Sequence, residues 1–441
     1  MAEHYDLIIR GATCVFHAGV SQSDIGVVDG RTAAMGDLAH ATGDLEIDAT
    51  GLHLLPGVID SQVHFREPGG EDKEDFESGS RAAALGGVTA VFEMPNTSPP
   101  TTTAEALGNK IDLASGRMWC DFAFYVGATA DNASQLHELE RLPGCCGVKI
   151  FMGSSTGDLL VADDETLRQV LTNTRRRVAV HAEDEKRLVE RKFIGRKKVS
   201  NHPMWRDAET AFIATERIVG LAREAGRRVH ILHVSTAKEI SFLSLNRDIA
   251  TVEVTPQHLT LAAPDCYHNL GARAQMNPPI RSAEHRAVLW RGVILGVVDV
   301  IGSDHAPHSL EEKDAPYPRS PSGMPGIQTL LPLMLDHVAQ NRLSLLQLVD
   351  LTSAGAARIF GIAGKGRLAV GNDADYTLVD LKAERTIENS WIASKCGWTP
   401  FDGQKVTGWP VGTIVRGSRV MWEGELSDAA PGRPMRFLET L

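Results

Sequence analysis

The feature that most constrains the fold of this chain is the regular alternation of short apolar runs with helix-like segments through its middle. Each run is apolar along its whole length, as expected for a strand that is buried on both faces of a parallel sheet. Eight such units predict an α/β fold, a closed parallel (β/α)8 TIM barrel. A doubly wound open sheet is the alternative, but no G-x-G-x-x-G motif follows the first run. The runs are residues 58–65, 88–94, 121–127, 147–152, 178–182, 229–234, 250–255 and 297–303.

Both ends of the chain differ from this middle part. Residues 5–16, YDLIIRGATCVF, and residues 412–424, GTIVRGSRVMWEG, alternate apolar and polar positions and turn at glycines. This pattern is typical of half-buried strands. We therefore expect a small composite β-sandwich domain made from residues 1–54 and 365–441, with the barrel between them in residues 55–364.

Composition and charge exclude several classes of protein. The net charge is -11, and the densest basic runs, residues 175–177 and 196–198, are short, so we interpret them as solvated surface rather than a nucleic-acid interface. The six cysteines form no C-x-x-C pair, which is typical of reduced thiols. With no signal-like or membrane-spanning apolar run, the expectation is a soluble cytoplasmic protein without a membrane partner.

Polar residues of the kinds that bind metals or substrates follow most of the predicted strands. Because the carboxyl ends of parallel barrel strands meet at one mouth, these side chains are expected to converge there. A lone histidine at a strand end is more often structural, but several such coincidences together favour a site. The residues are Gln62, His64, Arg66, Asn96, Lys149, His181, His233, Gln257, His258, Asp304, His305 and His308.

The residue types favour metal-dependent hydrolysis. Imidazoles and carboxylates bind Zn²⁺ and similar ions, and Lys149 could join them as a carbamate formed with CO2. Burial would lower the pKa of Lys149 and supply the neutral amine that reacts. Water activated by the metal would attack, and Asp304 would take and return the proton. The alternatives are that Lys149 reaches solvent from a misplaced strand boundary and that Asp304 only caps a helix.

Seven motifs together resemble the dihydroorotase branch of the cyclic amidohydrolases, over nearly the whole chain. This resemblance implies the reversible hydrolysis of dihydroorotate to N-carbamoyl-aspartate, in pyrimidine biosynthesis. The motifs are LPGVIDSQVHFREPG at 55–69, FEMPNTSPPT at 92–101, GVKIFMGSSTGD at 147–158, VHAED at 180–184, ILHVST at 231–236, NPPIR at 277–281 and GSDHAPH at 302–308.

The resemblance also implies roles for individual residues. His64 corresponds to a ligand of a first metal ion, His181 and His233 to ligands of a second, and the carbamate of Lys149 to a bridge between the two. Asp304 corresponds to the metal-bound general acid and base, for one or two Zn²⁺ ions per chain. The residues that resemble substrate contacts are Arg66, Asn96 and His308, for the carboxylate, and Asn277, for the ring.

Two glutamines depart from the family pattern. Gln62 stands where the family has the first histidine of His-x-His, and an amide oxygen is a weaker zinc ligand than imidazole. Gln257 also stands where relatives often have histidine, which we regard as minor. We therefore expect the metal ion at His64 to be the more weakly held.

Three functions remain open at this point. Arg66 favours dihydroorotase, because the allantoinase and hydantoinase branches lack an arginine there, unless Arg66 pairs with Glu67 or Asp72. A second reading is a cyclic amidohydrolase that acts on allantoin or hydantoin rings. A third is a non-catalytic homologue that serves as a scaffold for aspartate transcarbamoylase. Besides a small-molecule substrate, the resemblance implies assembly into a homo-oligomer.

Overall fold

The computed structural model describes residues 3–155, 159–196 and 198–440; the last three residues of the motif at 147–158 and Lys197 of the second basic run lie outside them. Its strands form two sheets. They are β1 His4–Phe16, β2 Gly19–Val28, β3 Arg31–Gly36, β4 Thr42–Asp48, β5 His53–Pro56, β6 Val58–Val63, β7 Val88–Glu93, β8 Asp121–Gly127, β9 Cys145–Phe151, β10 Val178–His181, β11 Val229–Ile231, β12 Ala250–Val254, β13 Val300–Ile301, β14 Tyr376–Thr386, β15 Lys405–Val415, β16 Ser418–Trp422 and β17 Glu425–Leu426.

The eight parallel strands β6 to β13 form the barrel in sequence order. Between its first and last strands, Val63 bridges His305, and the His64 N–H donates to the His305 carbonyl oxygen at 2.7 Å. Every residue of these strands is buried, including polar residues such as Asp60 and Glu253, as expected for strands that are covered on both faces. The predicted fold class is confirmed, although the last strand is only two residues long, because residues 297–299 belong to the preceding connection.

Helices cover the outside of the barrel, and side-chain caps fix where many of them begin. Thr236 and Glu239 form a capping box at one helix, and Ser309 and Glu312 form another. The α-helices are α1 Phe76–Leu85, α2 Ala104–Ala114, α3 Leu136–Leu139, α4 Asp164–Thr172, α5 Glu185–Arg191, α6 His202–Trp205, α7 Ala208–Glu224, α8 Ala237–Ser244, α9 Pro256–Thr260, α10 Asp265–Leu270, α11 Ala283–Ile294, α12 Leu310–Asp314, α13 Leu330–Ala339, α14 Leu345–Val349 and α15 Gly355–Phe360.

The second sheet has nine strands and is built from both ends of the chain. Its order is β17-β16-β15-β14-β5-β1-β2-β3, with β4 paired to β1. The N-terminal and C-terminal parts join where β5 pairs antiparallel with β14 and parallel with β1. This is the predicted composite module. The boundary between this domain and the barrel, predicted between residues 54 and 55, stays a prediction, since β5 extends across it.

Aromatic side chains close the end of the barrel at which its strands begin, which we call the lower end. Phe360 of α15 lies across the barrel interior, with its ring 5.0 Å from that of Phe92 and 6.3 Å from that of Tyr125.

The six cysteines are all buried and free, as predicted. Among the described residues, no helix combines the length and apolar character that crossing a membrane requires.

A buried ion cluster joins the second sheet to the barrel. The Lys365 ammonium contacts Asp375, lies 2.6 Å from Asp121 at the start of β8, and lies 3.3 Å from Asp373. Arg416 lies 2.8 Å from Asp121 and 3.2 Å from Asp373. Although burial alone would lower the pKa of Lys365, the surrounding carboxylates raise it above its usual value. The lysine is therefore a permanent cation that neutralises buried acids.

Replacing Lys365 with Met should destabilise the protein by about 3–5 kcal/mol, because buried carboxylates would lose their cation. Urea unfolding followed by circular dichroism measures this change in the free energy of unfolding. Lys382→Met removes an exposed charge from the same sheet and serves as the control, with an expected change within about 0.5 kcal/mol. Equal effects of the two substitutions would show that the cluster adds nothing to stability.

Candidate active site

The sequence-predicted site residues converge at the carboxyl ends of the barrel strands. Most of them line one small cavity of about 20 Å³ in the barrel mouth. Three residues at strand ends do not take part: Gln257 donates to the Ser303 carbonyl, His258 contacts Thr255 and the Pro278 carbonyl, and His305 contacts Glu74. The predicted residues that line the cavity are Gln62, His64, Arg66, Asn96, Lys149, His181, His233, Asn277 and Asp304.

His181 and His233 present nitrogen atoms to each other. His181 Nε2 lies 3.0 Å from Glu183, and His181 Nδ1 lies 3.1 Å from His233 Nε2. Glu183 is also paired with Arg206 at 2.6 Å, which holds the pKa of this carboxyl well below its usual range although burial opposes it. An ionised Glu183 accepts the Nε2 proton of His181, so the Nδ1 lone pair of His181 points into the cavity.

His64 has a similar arrangement on the other side of the cavity. Its Nδ1 lies 2.8 Å from the Asn96 side-chain oxygen, which assigns the ring proton to Nδ1. Its Nε2 lies 3.3 Å from Asp304 Oδ1. Burial first, and then the Arg66 guanidinium, lowers the pKa of His64 well below its usual value. A neutral imidazole lone pair therefore faces a carboxylate oxygen, a repulsive contact unless a cation or proton lies between them.

Lys149 lies in β9 and is buried to 1% exposure, so the alternative in which it reaches solvent is wrong. Its ammonium nitrogen has no hydrogen-bond partner among the described residues. Burial lowers its pKa to about 7, with Asp304 and Glu253 acting in the opposite direction. In an appreciable fraction of the molecules Lys149 is then the neutral amine, the form that reacts with CO2.

Gln62 points into the cavity on the same face as His64, as strand alternation predicts. Its amide nitrogen donates to Asp304 Oδ1 at 2.9 Å. Its amide oxygen is buried without a hydrogen-bond partner in the described part of the chain. A buried unpaired acceptor is destabilising, and here it lies in the cavity wall where it could contact a cation.

Three site residues adopt the left-handed backbone conformation, which is rare outside glycine. The φ angles are 64° for Arg66, 38° for His233 and 45° for Asp304. Such residues cost about 1–3 kcal/mol each and are maintained by the surrounding structure. Asp304 caps no helix, because α12 begins six residues later with Ser309 as its N-cap. The alternative of a capping role is therefore wrong.

The donor set fits one or two metal ions. Neutral imidazoles, a carboxylate and an unpaired amine converge on one small cavity, and a cation would remove the repulsion between the His64 lone pair and the Asp304 carboxylate. A cluster of Asp121, Asp373 and Asp375 also has ligand spacing, but the cations Lys365 and Arg416 already neutralise it. We therefore place the metal site at the barrel mouth rather than at this acidic cluster.

Arg66 and His308 lie together at the edge of a larger cavity of about 700 Å³, which Asn96 also lines. Arg66 Nη2 lies 3.3 Å from His308 Nε2, and Arg66 Nε donates to the Pro307 carbonyl. Arg66 has no carboxylate partner within 4.0 Å among the described residues, since Glu67 pairs with Arg117 instead. The alternative of a structural ion pair at Arg66 is therefore wrong.

Two residues that orient the site were not predicted. Glu183, next to the predicted His181 in the VHAED motif, could have been found because an acid in an apolar strand end needs a partner. Arg206 follows α6 and has no local signal, because only the tertiary structure brings it to Glu183.

Asn277, half-buried, donates to Ser155 at 3.3 Å and contacts His202 at 2.9 Å, so it lies in the site as predicted.

Comparisons with known proteins agree with this geometry. The chain matches the model of the amidohydrolase family over residues 53–420. It is 37% identical to a dihydroorotase of Methanosarcina acetivorans, covering 98% of this chain and 95% of the relative, and 36% identical to an allantoinase of Rubrobacter xylanophilus, covering 98% of both. The solved L-hydantoinase of Arthrobacter aurescens superimposes with a TM-score of 0.93 at 32% identity, covering 98% of this chain and 99% of that one.

Lys149 should carry a carbamate, because it is a buried, unpaired amine among metal ligands. Metal-loaded protein equilibrated with ¹³C-bicarbonate should show a protein carbamate resonance by NMR, which Lys149→Ala should remove. Lys149→Ala should also lose metal and activity, with partial rescue by short carboxylic acids. Lys313→Met is the control, because Lys313 is equally buried but donates to three carbonyls. A resonance that survives Lys149→Ala would contradict the assignment.

Gln62→His should strengthen metal binding at His64. In the wild type the metal at His181 and His233 should dominate, because Gln62 offers only a neutral amide oxygen. The substitution should raise the metal content after dialysis towards two ions per chain, measured by elemental analysis. Two retained ions in the wild type would mean that Gln62 is an adequate ligand, and Gln62→Asn serves as the control without an imidazole.

Proposed function

The chain belongs to the amidohydrolase family, and on that premise we propose that it is a dihydroorotase. Such an enzyme adds water across the ring amide of dihydroorotate to give N-carbamoyl-aspartate, and it closes the ring in the reverse direction. The ring carries one carboxylate, on the carbon two positions from the carbonyl that water attacks. A dihydroorotase therefore needs an anion-binding group next to its hydrolytic centre.

The observation that carries this proposal is that the Arg66 guanidinium has no carboxylate partner within 4.0 Å among the described residues. Arg66 is 8% exposed, and burial lowers its pKa to about 10, which leaves it charged at neutral pH. A buried charge without a counterion is costly, and a substrate carboxylate would supply that counterion. The planar guanidinium matches a carboxylate with two parallel hydrogen bonds. His308 and Asn96 lie beside it as further contacts.

The metal would be held by His181, His233 and a Lys149 carbamate, and at a second position by His64, the same carbamate and Asp304. When bound, such ions polarise the substrate carbonyl and lower the pKa of water. Arg66 and its neighbours fix the ring so that its amide faces this centre. Asn277 lines the same cavity, where it would contact the ring.

Asp304 would move the proton during the reaction. Its Oδ1 lies between the Gln62 amide and His64 Nε2, at the centre of the donor set. In hydrolysis the ionised carboxylate accepts a proton from the attacking water and delivers it to the ring nitrogen as the amide bond breaks. Ring closure runs the same transfer backwards and needs the protonated acid. Burial raises the pKa of Asp304 to about 7, and a cation bound beside it would lower that pKa and favour the ionised form that hydrolysis needs.

A second candidate function is the hydrolysis of an uncharged ring such as hydantoin or allantoin. The relatives named allantoinase and L-hydantoinase favour this candidate. An uncharged ring would leave Arg66 buried without a counterion, which is why we prefer dihydroorotate. The scaffold function, and with it an aspartate transcarbamoylase partner or a homo-oligomer, stays a prediction.

Arg66→Gln should separate the candidates. With dihydroorotate, kcat/KM should fall by the equivalent of about 2–4 kcal/mol, because a charge-assisted pair is lost. Arg66→Lys should recover part of the loss, since it restores the charge without the planar fork. Hydantoin and allantoin are the control substrates and should be much less affected. Faster wild-type turnover of either control substrate would overturn the assignment, and no turnover of any ring by metal-loaded protein would favour the scaffold.

A further inference from the structure

A second polar cavity lies at the end of the barrel opposite the candidate active site. It encloses about 330 Å³ and is lined by arginines from two connections and one helix, together with Phe360, Phe437 and Glu439. Phe360 is the residue that closes the lower end of the barrel, which fixes the position of the cavity. The arginines are Arg175, Arg176, Arg177, Arg227, Arg228 and Arg358. We call this feature the arginine cavity.

The arginines converge because neighbouring strands begin there. Residues 175–177 lead directly into β10, which begins at Val178, and residues 227–228 lead into β11, which begins at Val229. These two strands pair in parallel from their first residues, so the two basic segments lie side by side. Arg358 in α15 adds a third source of charge. The interpretation as solvated surface is therefore wrong for the buried Arg176, although Arg175 is exposed as expected.

Two guanidinium groups in the cavity wall have unsatisfied donors. Arg176 is 7% exposed and donates to the Cys145 carbonyl at 2.6 Å, yet its Nη2 is buried without a hydrogen-bond partner among the described residues. The Nε of Arg177 is also buried without a partner there. An unmade hydrogen bond from a buried charged donor is costly. The wall thus combines positive charge with guanidinium donors that lack partners among the described residues.

The charge in the cavity is poorly balanced. Glu439 is the one carboxylate among the described lining residues, and it lies 3.5 Å from Arg176. Arg358 pairs outside the lining with Asp350 at 3.1 Å. Burial first, and then the neighbouring Arg228, lowers the pKa of Arg177 to about 10, which is consistent with crowded guanidinium groups. Several positive charges are left for a ligand to neutralise.

We propose that the arginine cavity is a binding site for a small polyphosphate anion, either an inorganic polyphosphate or the phosphate chain of a nucleotide. Guanidinium groups bind phosphate oxygens through paired hydrogen bonds. A single carboxylate would neutralise one of these arginines, whereas a chain of phosphates carries the charge that several need. The cavity is a recess rather than a broad basic face, so a small anion fits it better than a nucleic-acid duplex does.

Direct binding tests the proposal. Calorimetric titration of metal-loaded protein with tripolyphosphate should show saturable binding. Arg175→Gln combined with Arg228→Gln should weaken it about tenfold or more, because two phosphate contacts are lost. Both side chains are exposed, so the fold should be retained. Arg385→Gln combined with Arg419→Gln removes the same charge from exposed positions on the second sheet and should leave the affinity unchanged.

Further arms locate the site and identify the ligand. Arg66→Gln should keep tripolyphosphate binding, which separates the arginine cavity from the anion site at the barrel mouth. Equal affinity for tripolyphosphate and ATP would support recognition of the phosphate chain alone, and tighter ATP binding would support a nucleotide. The proposal is overturned if tripolyphosphate does not bind, if both double variants weaken binding equally, or if duplex DNA binds and tripolyphosphate does not displace it.

Discussion

The closure of the barrel between its first and last strands is the constraint on which the candidate site depends. The hydrogen bond from the His64 N–H to the His305 carbonyl, 2.7 Å long, brings together segments that lie more than two hundred residues apart in sequence. As a consequence His64 Nε2 comes within 3.3 Å of Asp304, and Arg66 within 3.3 Å of His308. The contact between the first and last strands thus positions both the hydrolytic groups and the anion-binding groups. A shift of either strand would disturb both.

Burial gives the site its chemical character. It lowers the pKa of His64, His181 and His233, so these imidazoles are neutral, and it lowers the pKa of Lys149 to about 7. The ionised group next to them, Glu183, is held at the edge by its pair with Arg206 and orients His181 without entering the cavity. Neutral imidazoles therefore face the Asp304 carboxyl group at the centre. These groups are suited to binding cations, and bound cations would offset the cost of burying them.

The two ends of the central strands differ in their electrostatics. The carboxyl ends of β9, β10 and β11 lead into Lys149, His181 and His233, while the segments that precede β10 and β11 supply the arginine cavity. In barrels of this kind the end opposite the active site usually serves stability. Buried guanidinium donors without partners do not stabilise a fold, so their presence there calls for a ligand. The short strands place the two sites at opposite ends of a single rigid sheet.

The sequence by itself determined the fold class, because eight predominantly apolar runs alternate with helix-like segments, as the strands of a closed parallel barrel do, and it determined which residues end those strands. It also placed Gln62 beside His64 through strand alternation. Only the tertiary structure decided which strand-end residues enter the site: His305 turns to Glu74, while Arg206 reaches Glu183 from a distant segment. The interpretation of residues 175–177 as solvated surface failed at Arg176 for the same reason. The partners of a side chain depend on contacts between segments that are remote in sequence. A local sequence pattern predicts periodicity and burial, but it does not show which segments come into contact.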